Sequence, residues 1–367
     1  METFKILQNY FQQLPIELKF VWVLSFILTV FAIIFTFYLK ILRNSLRKKE
    51  ALTIKYQKEY EDLLLSFLFE EIENNELSNK QNQFIKTIEN EINNNFKRKI
   101  IVETLLKLKN EVSGEIETAI QDIYLKSNLK EHAYKQLKSK KWDKVANGIK
   151  EFTKFKVKEA YPEIKKLIKY PKKEVRKEVE LYLVSLFHFE GLEFLNDLKI
   201  SLSEWDQIEL LEELQKLDNQ EIPDITVWLN SKNESVVSFS LKLAKIYNKY
   251  ETVETLLKLL NHKNQKIRLQ VIDVLTHLQV FDAKDILKNS FKKRSQEEKI
   301  AIFKMFENIC EPSDEDFIVE NTTNSNFEIQ YLAIKMLKEI NEKAFNYLLK
   351  NQNKFYNKEL LKFVQNN

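Results

Sequence analysis

The chain has 367 residues, 58 Lys and Arg against 54 Asp and Glu for a formal net charge of +4, and 44% hydrophobic with 31% charged residues. Three glycines and five prolines leave little turn chemistry for sheets, and the single cysteine, Cys310, excludes an intramolecular disulfide. The composition predicts an all-α protein with an ample core, and so small a net charge argues against a surface built to neutralise phosphates.

Residues 1–17 read as a short extracytoplasmic N-terminus. Phe4, Leu7, Phe11 and Leu14 share one face of a short helix that would lie on the outer membrane surface, and a disordered tail fits equally well. "FVWVLSFILTVFAIIFTFYL", Phe20 to Leu39, carries no charge over 20 residues and as a helix reaches about 30 Å, the thickness of a bilayer's hydrocarbon. A transmembrane helix is therefore predicted over 18–42. A cleaved signal would be shorter and end in small residues, whereas Tyr38 and Leu39 lead straight into Lys40 and Ile41. A buried core helix would show a polar stripe, and only Ser25, Thr29 and Thr36 interrupt this one. Lys40, Arg43, Arg47, Lys48 and Lys49 follow the span while Lys5 and Lys19 precede it, which predicts a single-pass protein of the cell membrane, N-terminus out and C-terminal part cytoplasmic. A lone cysteine suits that reducing compartment.

Residues 43–138 read as a helical neck. "YEDLLLSFLFEEIE" and "KRKIIVETLLKLKNEV" are amphipathic, and Asn-rich "NNELSNKQNQ" and "NEINNN" separate them. No heptad pattern lasts long enough for a coiled-coil stalk.

From 139 to 350 a frame recurs. In "NHKNQKIRLQVIDVLTHL", Ile267 is followed by Val271, Val274, Leu275 and Leu278 on one helix face, with Asn264 as N-cap. The frame also fits at Val175, Val236 and Ile329; these anchors lie 61, 31 and 62 residues apart, so a unit of about 31 predicts further copies near 206 and 298. Both are present, with Leu210, Leu214 and Leu217 behind Asp206, and Ile302, Met305, Phe306 and Ile309 behind Glu298. Ser203, Asn233, Ser295 and Asn326 are the matching caps, and Ser295 with Glu298 makes a capping box. An earlier helix repeats in register, as Ile164, Leu167 and Ile168, then Ile225, Trp228 and Leu229, then Leu256, Leu259 and Leu260. A divergent first unit is expected at Ser139, with Trp142 as its buried anchor, and residues 351–367 as a capping helix or tail. One helical hairpin cannot bury its own apolar face, so such units stack.

"KEVRKEV" (Lys173 to Val179) and "QKIRLQV" (Gln265 to Val271) resemble the HEAT-repeat family, in which an aliphatic residue followed by arginine opens the second helix. Arg176 and Arg268 match the family's arginine; Gln207, Val237, Lys299 and Gln330 stand there in the other units. The resemblance covers roughly Lys140 to Lys350. It implies a right-handed α-solenoid of about six to seven hairpins and a binding scaffold rather than an enzyme.

Chemistry is sparse. The histidines are scattered, and Asp273 with His277 offers two ligands where zinc needs three or four. Gly114, Gly148 and Gly191 stand alone, without a phosphate-binding loop, and no Ser or Cys sits in a nucleophile motif. Cys310, beside core-facing Ile309, reads as packed rather than reactive. No cofactor or metal is expected. A weak basic ridge is predicted at Arg268, Lys299, Lys304 and Lys335, the residues nominated for partner binding. The expected function is a membrane-anchored scaffold or adaptor for a protein partner, such as a membrane enzyme or transport complex. The alternative is a helical-repeat nucleic-acid-binding protein or DNA glycosylase-like enzyme, for which Trp205 or Glu204 are the only nominees. Nucleic acid is the less favoured partner.

Overall fold

The computed structural model describes residues 15–68, 79–216, 222–350 and 358–366. Among these there are helices and no strands. Phe4, Leu7, Phe11, Leu14 and Leu217 lie outside the described residues. The chain divides into two compact units at 138/139.

The first unit opens with α1, Ile16–Leu68, a single helix of 53 residues, about 80 Å long. It begins just after Pro15 and contains neither Gly nor Pro, so nothing in its backbone chemistry ends it at residue 42. The boundary expected between span and neck is thus a change of side chains and not of structure. Its apolar part is long and hydrophobic enough to cross a membrane, with none of that stretch buried. Thr29 and Thr36 donate to the carbonyls of Ser25 and Ala32 four residues back, both at 2.8 Å, which satisfies their hydroxyls inside the apolar run. The far end buries Tyr60, Leu64 and Phe67 against α2, Asn79–Glu91, and α3, Asn95–Glu111. Tyr60 donates to the Glu91 carboxylate, and the Phe67 and Phe84 rings meet at 5.3 Å. Two further helices, α4 (Glu115–Lys126) and α5 (Leu129–Leu137), complete the unit.

The second unit starts with α6, Trp142–Lys154. Here the register differs from the sequence expectation. Val145, Ile149 and Phe152 form the buried face, while Trp142 is 43% exposed with the Lys172 ammonium 5.4 Å from its ring. At the first turn a side chain is packed by only one neighbouring layer, and the aliphatic residue three further on fills the core instead.

Six longer helices then recur: α8 (Lys173–Phe187), α9 (Glu204–Gln215), α11 (Glu234–Ile246), α13 (Gln265–His277), α15 (Gln296–Ile309) and α17 (Phe327–Ile340), starting 30 or 31 residues apart. Before them lies α7 (Tyr161–Lys165), between them lie α10 (Thr226–Leu229), α12 (Val253–Leu259), α14 (Ala283–Ser290) and α16 (Glu315–Asn321), and after them come α18 (Glu342–Lys350) and α19 (Lys358–Asn366). All six anchors are buried. The five caps Ser203, Asn233, Asn264, Ser295 and Asn326 each accept a backbone N–H of the helix they open. Asp206 and Glu298 are polar anchors because they close capping boxes with Ser203 and Ser295.

The intervening segments are shorter than the hairpin pattern suggests and are partly 3₁₀, as at Lys166–Lys169 and along all of Glu190–Asp197. Gly191 explains one such segment: a Cβ there would stand 2.2 Å from the Leu183 carbonyl oxygen, so only glycine lets the two backbones meet. After α6, α11 and α13 the chain turns through Lys156, Asn248 and Gln279, each at φ between 51° and 53°. The next N–H returns to Phe152, Ala244 and Leu275 carbonyls at 3.0, 3.0 and 3.1 Å, a left-handed helix stop built without glycine.

The slot after the anchor has a common task. Arg176 donates to the Tyr170 and Pro171 carbonyls (2.8 and 2.9 Å), and Arg268 to those of His262 and Lys263 (2.8 and 3.1 Å). Gln207 and Gln330 reach the Leu202 and Thr322 carbonyls at 3.4 and 3.0 Å. Each ties a helix to the turn that precedes it. The first unit holds the same device, Arg98 donating to the Ile92 carbonyl at 2.8 Å behind the Asn94 cap.

Candidate interaction surface

Three hollows meet along the segment from Leu195 to Leu202, which joins the 3₁₀ run to α9. The largest, about 1070 Å³, has Tyr161, Phe187 and Phe194 among its walls, with Lys165, Glu193 and Lys199 supplying mixed charge. Its aromatic wall is ordered by the edge contact of Tyr161 with Phe187 at 4.8 Å and the Lys165 ammonium at 2.6 Å from the Tyr161 hydroxyl. A second hollow of about 700 Å³ lies between Leu198 and Val227, above Trp228. Trp228 itself is buried, and its Nε1 donates to Asn196 at 2.7 Å. Short 3₁₀ segments leave these spaces, because they cover less of the neighbouring helix than a full-length α-helix would.

The third hollow, about 80 Å³, is floored by Glu180. This carboxylate is 6% exposed. Around it stand Lys173, Arg176 and Lys177 of α8 and Asp206 of α9. Lys173 is taken by Asp206 at 3.0 Å, Lys177 by Glu209 at 2.7 Å and Arg176 by its turn carbonyls. Burial, and then the negative charge of Asp206, push the Glu180 carboxyl up to about 7. Asp206 behaves oppositely: burial works against its charge, but hydrogen bonds from Ser203 and Lys173 outweigh that and hold it below the ordinary range. Sequence reading overlooked Glu180, yet a signal was there. Five residues past the anchor the other units carry Leu211, Leu241, Ile272, Phe303 and Ile334, all buried.

Four apolar side chains on these segments and on α9 are exposed: Ile200 at 50%, Trp205 at 64%, Ile208 at 40% and Val227 at 64%. Trp205 was reached from sequence only as an arbitrary nominee. The structure puts it and Glu204 on the open first turn of α9 and not in a cleft.

The nominated basic ridge is arranged differently from the expectation. Arg268 is half-buried and holds Glu298 at 2.7 Å. Lys304 pairs with Glu328 at 2.8 Å and Lys335 with Glu307 at 2.6 Å, while the Lys299 ammonium lies 5.5 Å from the Phe291 ring. A neighbouring unit thus answers three of these cations with carboxylates, and Lys299 lies over a ring of its own unit. Asp273 and His277 also part company: Asp273 takes Lys245 at 2.7 Å and His277 Nε2 meets Asn248 at 2.9 Å. Among the described residues no group of three or more His, Cys, Asp and Glu side chains gathers as a metal would need. Cys310 is half-buried against the core, and burial raises its thiol.

No family model matches the chain, and no curated protein matches it. Among solved structures, a crystal structure described as an engineered protein is 14% identical with a TM-score of 0.38, over 83% of this chain and 97% of that one.

Proposed function

We propose that this protein is a membrane-anchored scaffold whose second unit stacks its 31-residue hairpins into an α-solenoid and docks a protein partner. The observation that carries it is the exposed apolar side chains Ile200 and Val227 lining open hollows and Trp205 and Ile208 on α9, in a unit whose other apolar residues mostly fill a core. Support for the stacking comes from contacts one unit apart, such as Arg268 to Glu298 and Gln265 to Ser295. Support for the anchor comes from α1, and the basic run Lys40–Lys49 beyond its apolar part favours a cytoplasmic second unit. The mechanism is confinement: two molecules held on one membrane meet at a raised effective concentration without any new contact.

In-cell crosslinking followed by mass spectrometry tests this with the full chain and with a variant whose Phe20–Leu39 is replaced by a leucine–alanine span of equal length. Capture of the same protein by both supports docking outside the span. Failure of both to retain any protein sinks the scaffold role, and capture by the native span alone moves recognition into the membrane.

A further inference from the structure

The outward face of α9 differs from those of the other long helices. Glu204, Trp205, Ile208 and Glu212 are all exposed and lie at spacings of three, four and seven or eight, so they share one face over about two turns. Among the described residues Glu204 and Glu212 join no ion pair, in contrast to Glu209 and Glu213 on the flank of the same helix, which take Lys177 and Lys216. Among the described residues Trp205, 64% exposed, has no ring contact or side-chain hydrogen bond. On α13, α15 and α17 several charges are answered by a neighbouring unit, through Lys245 with Asp273, Lys304 with Glu328 and Lys335 with Glu307. Among the described residues of the six long helices, α9 alone sets an exposed Trp–Ile pair between two carboxylates without an ion pair.

Resting on the scaffold reading above, we propose that this face is the docking site for a basic amphipathic segment of a partner protein, whose apolar side chains cover Trp205 and Ile208 and whose Lys or Arg side chains reach Glu204 and Glu212. Charge decides the class of occupant. An anionic lipid surface or a nucleic acid would meet two uncompensated carboxylates at the centre of its contact, whereas a cationic helix gains both ion pairs at the rim of an apolar patch. Tryptophan is the residue type that most often anchors such a patch, because it brings a large rigid area at small entropic cost. A partner helix laid along this face would carry apolar residues spaced by three and four.

The test uses the full chain in lipid nanodiscs and a phage-displayed library of random peptides of about 16 residues, selected on the native protein and counter-selected on Trp205→Ala. Both proteins should melt together, since Trp205 lies mostly in solvent. Net-positive peptides with apolar residues at helical spacing should be enriched, and a synthetic copy of one should bind at least tenfold more weakly to W205A and to the Glu204→Gln, Glu212→Gln double variant. Enrichment of acidic or neutral peptides, or affinity unchanged in both variants, overturns the proposal. So does a concentration-dependent dimer that W205A dissolves, which would give the face to a second copy. If the crosslinked partner of the scaffold test is captured as well by W205A as by the native chain, the scaffold stands and this face falls.

Discussion

Arg268 on α13 grips the Glu298 carboxylate on α15 with two hydrogen bonds, Nε at 2.7 Å and Nη2 at 3.0 Å, while its Nη1 closes on the His262 and Lys263 carbonyls. One side chain fastens both the turn behind it and the unit ahead. Arg268→Ala leaves the fully buried Glu298 to Arg294 and its cap, and is expected to lower stability by about 2–4 kcal/mol. Arg268→Lys restores less than half, because an ammonium cannot fork. Urea unfolding of the two variants reads this directly.

Glu298 also sets an acid limit. Burial opposes its charge, but Arg268, Ser295 and Arg294 outweigh it and bring its carboxyl down to about 2 from 4.5. A depressed acid contributes its stability above the unfolded value and loses it as pH falls, here between about 4.5 and 2. The Glu298→Gln variant should be less stable than the native chain at pH 6 and converge on it toward pH 2, in thermal melts across that range.

Glu180 gives the opposite slope. Its folded value of about 7 lies above the ordinary 4.5, so its ionisation costs the fold progressively as pH rises from 4.5 through 7. Glu180→Leu, the residue type at that slot in two sibling units, should raise stability at pH 8 by about 1–3 kcal/mol and flatten this part of the profile. Melting curves at pH 5 and pH 8 decide it, and equal gains at both would show that ionisation is not the cost.

Gly191→Ala would set a methyl group 2.2 Å from the Leu183 carbonyl oxygen and 2.5 Å from its carbon. Both are backbone atoms in the middle of α8, so no side chain can swing aside. A loss of about 2 kcal/mol or more is expected in chemical denaturation.

Gln279 sits at φ 53° in the stop after α13. Glycine there removes the steric cost of the left-handed backbone, and Gln279→Gly should gain about 0.5–1 kcal/mol.

The long second helices were legible because capping and burial are local: Ser295 with Glu298 announces a helix start within four residues, and Val271, Val274 and Leu275 repeat the core face. The leading segments were less so. Ile164 and Leu256 are buried as their spacing implies, but whether the backbone around them is α or 3₁₀ depends on close approaches such as Gly191 to Leu183, which no single-chain pattern contains. Arg268 shows the same limit for the surface, since its slot looked open and only the next unit reveals Glu298 beneath it. In the neck, Arg98 behind Asn94 was readable as the same turn-tying device, but the 31-residue spacing that drew attention to Arg176 and Arg268 is missing there.

In the membrane anchor proposed above, the unbroken α1 makes the tether a shaft and not a leash. Each residue advances a helix by about 100° and 1.5 Å. Deleting one residue between Ile41 and Lys48 would therefore swing the face carrying Tyr60, Leu64 and Phe67 by about 100° around the axis of the span, whereas inserting seven would lift it about 10 Å and turn it by only about 20°. In that anchor the first unit is fixed in azimuth as well as height, so a single added residue changes what it presents mainly by rotation and a whole heptad mainly by lift.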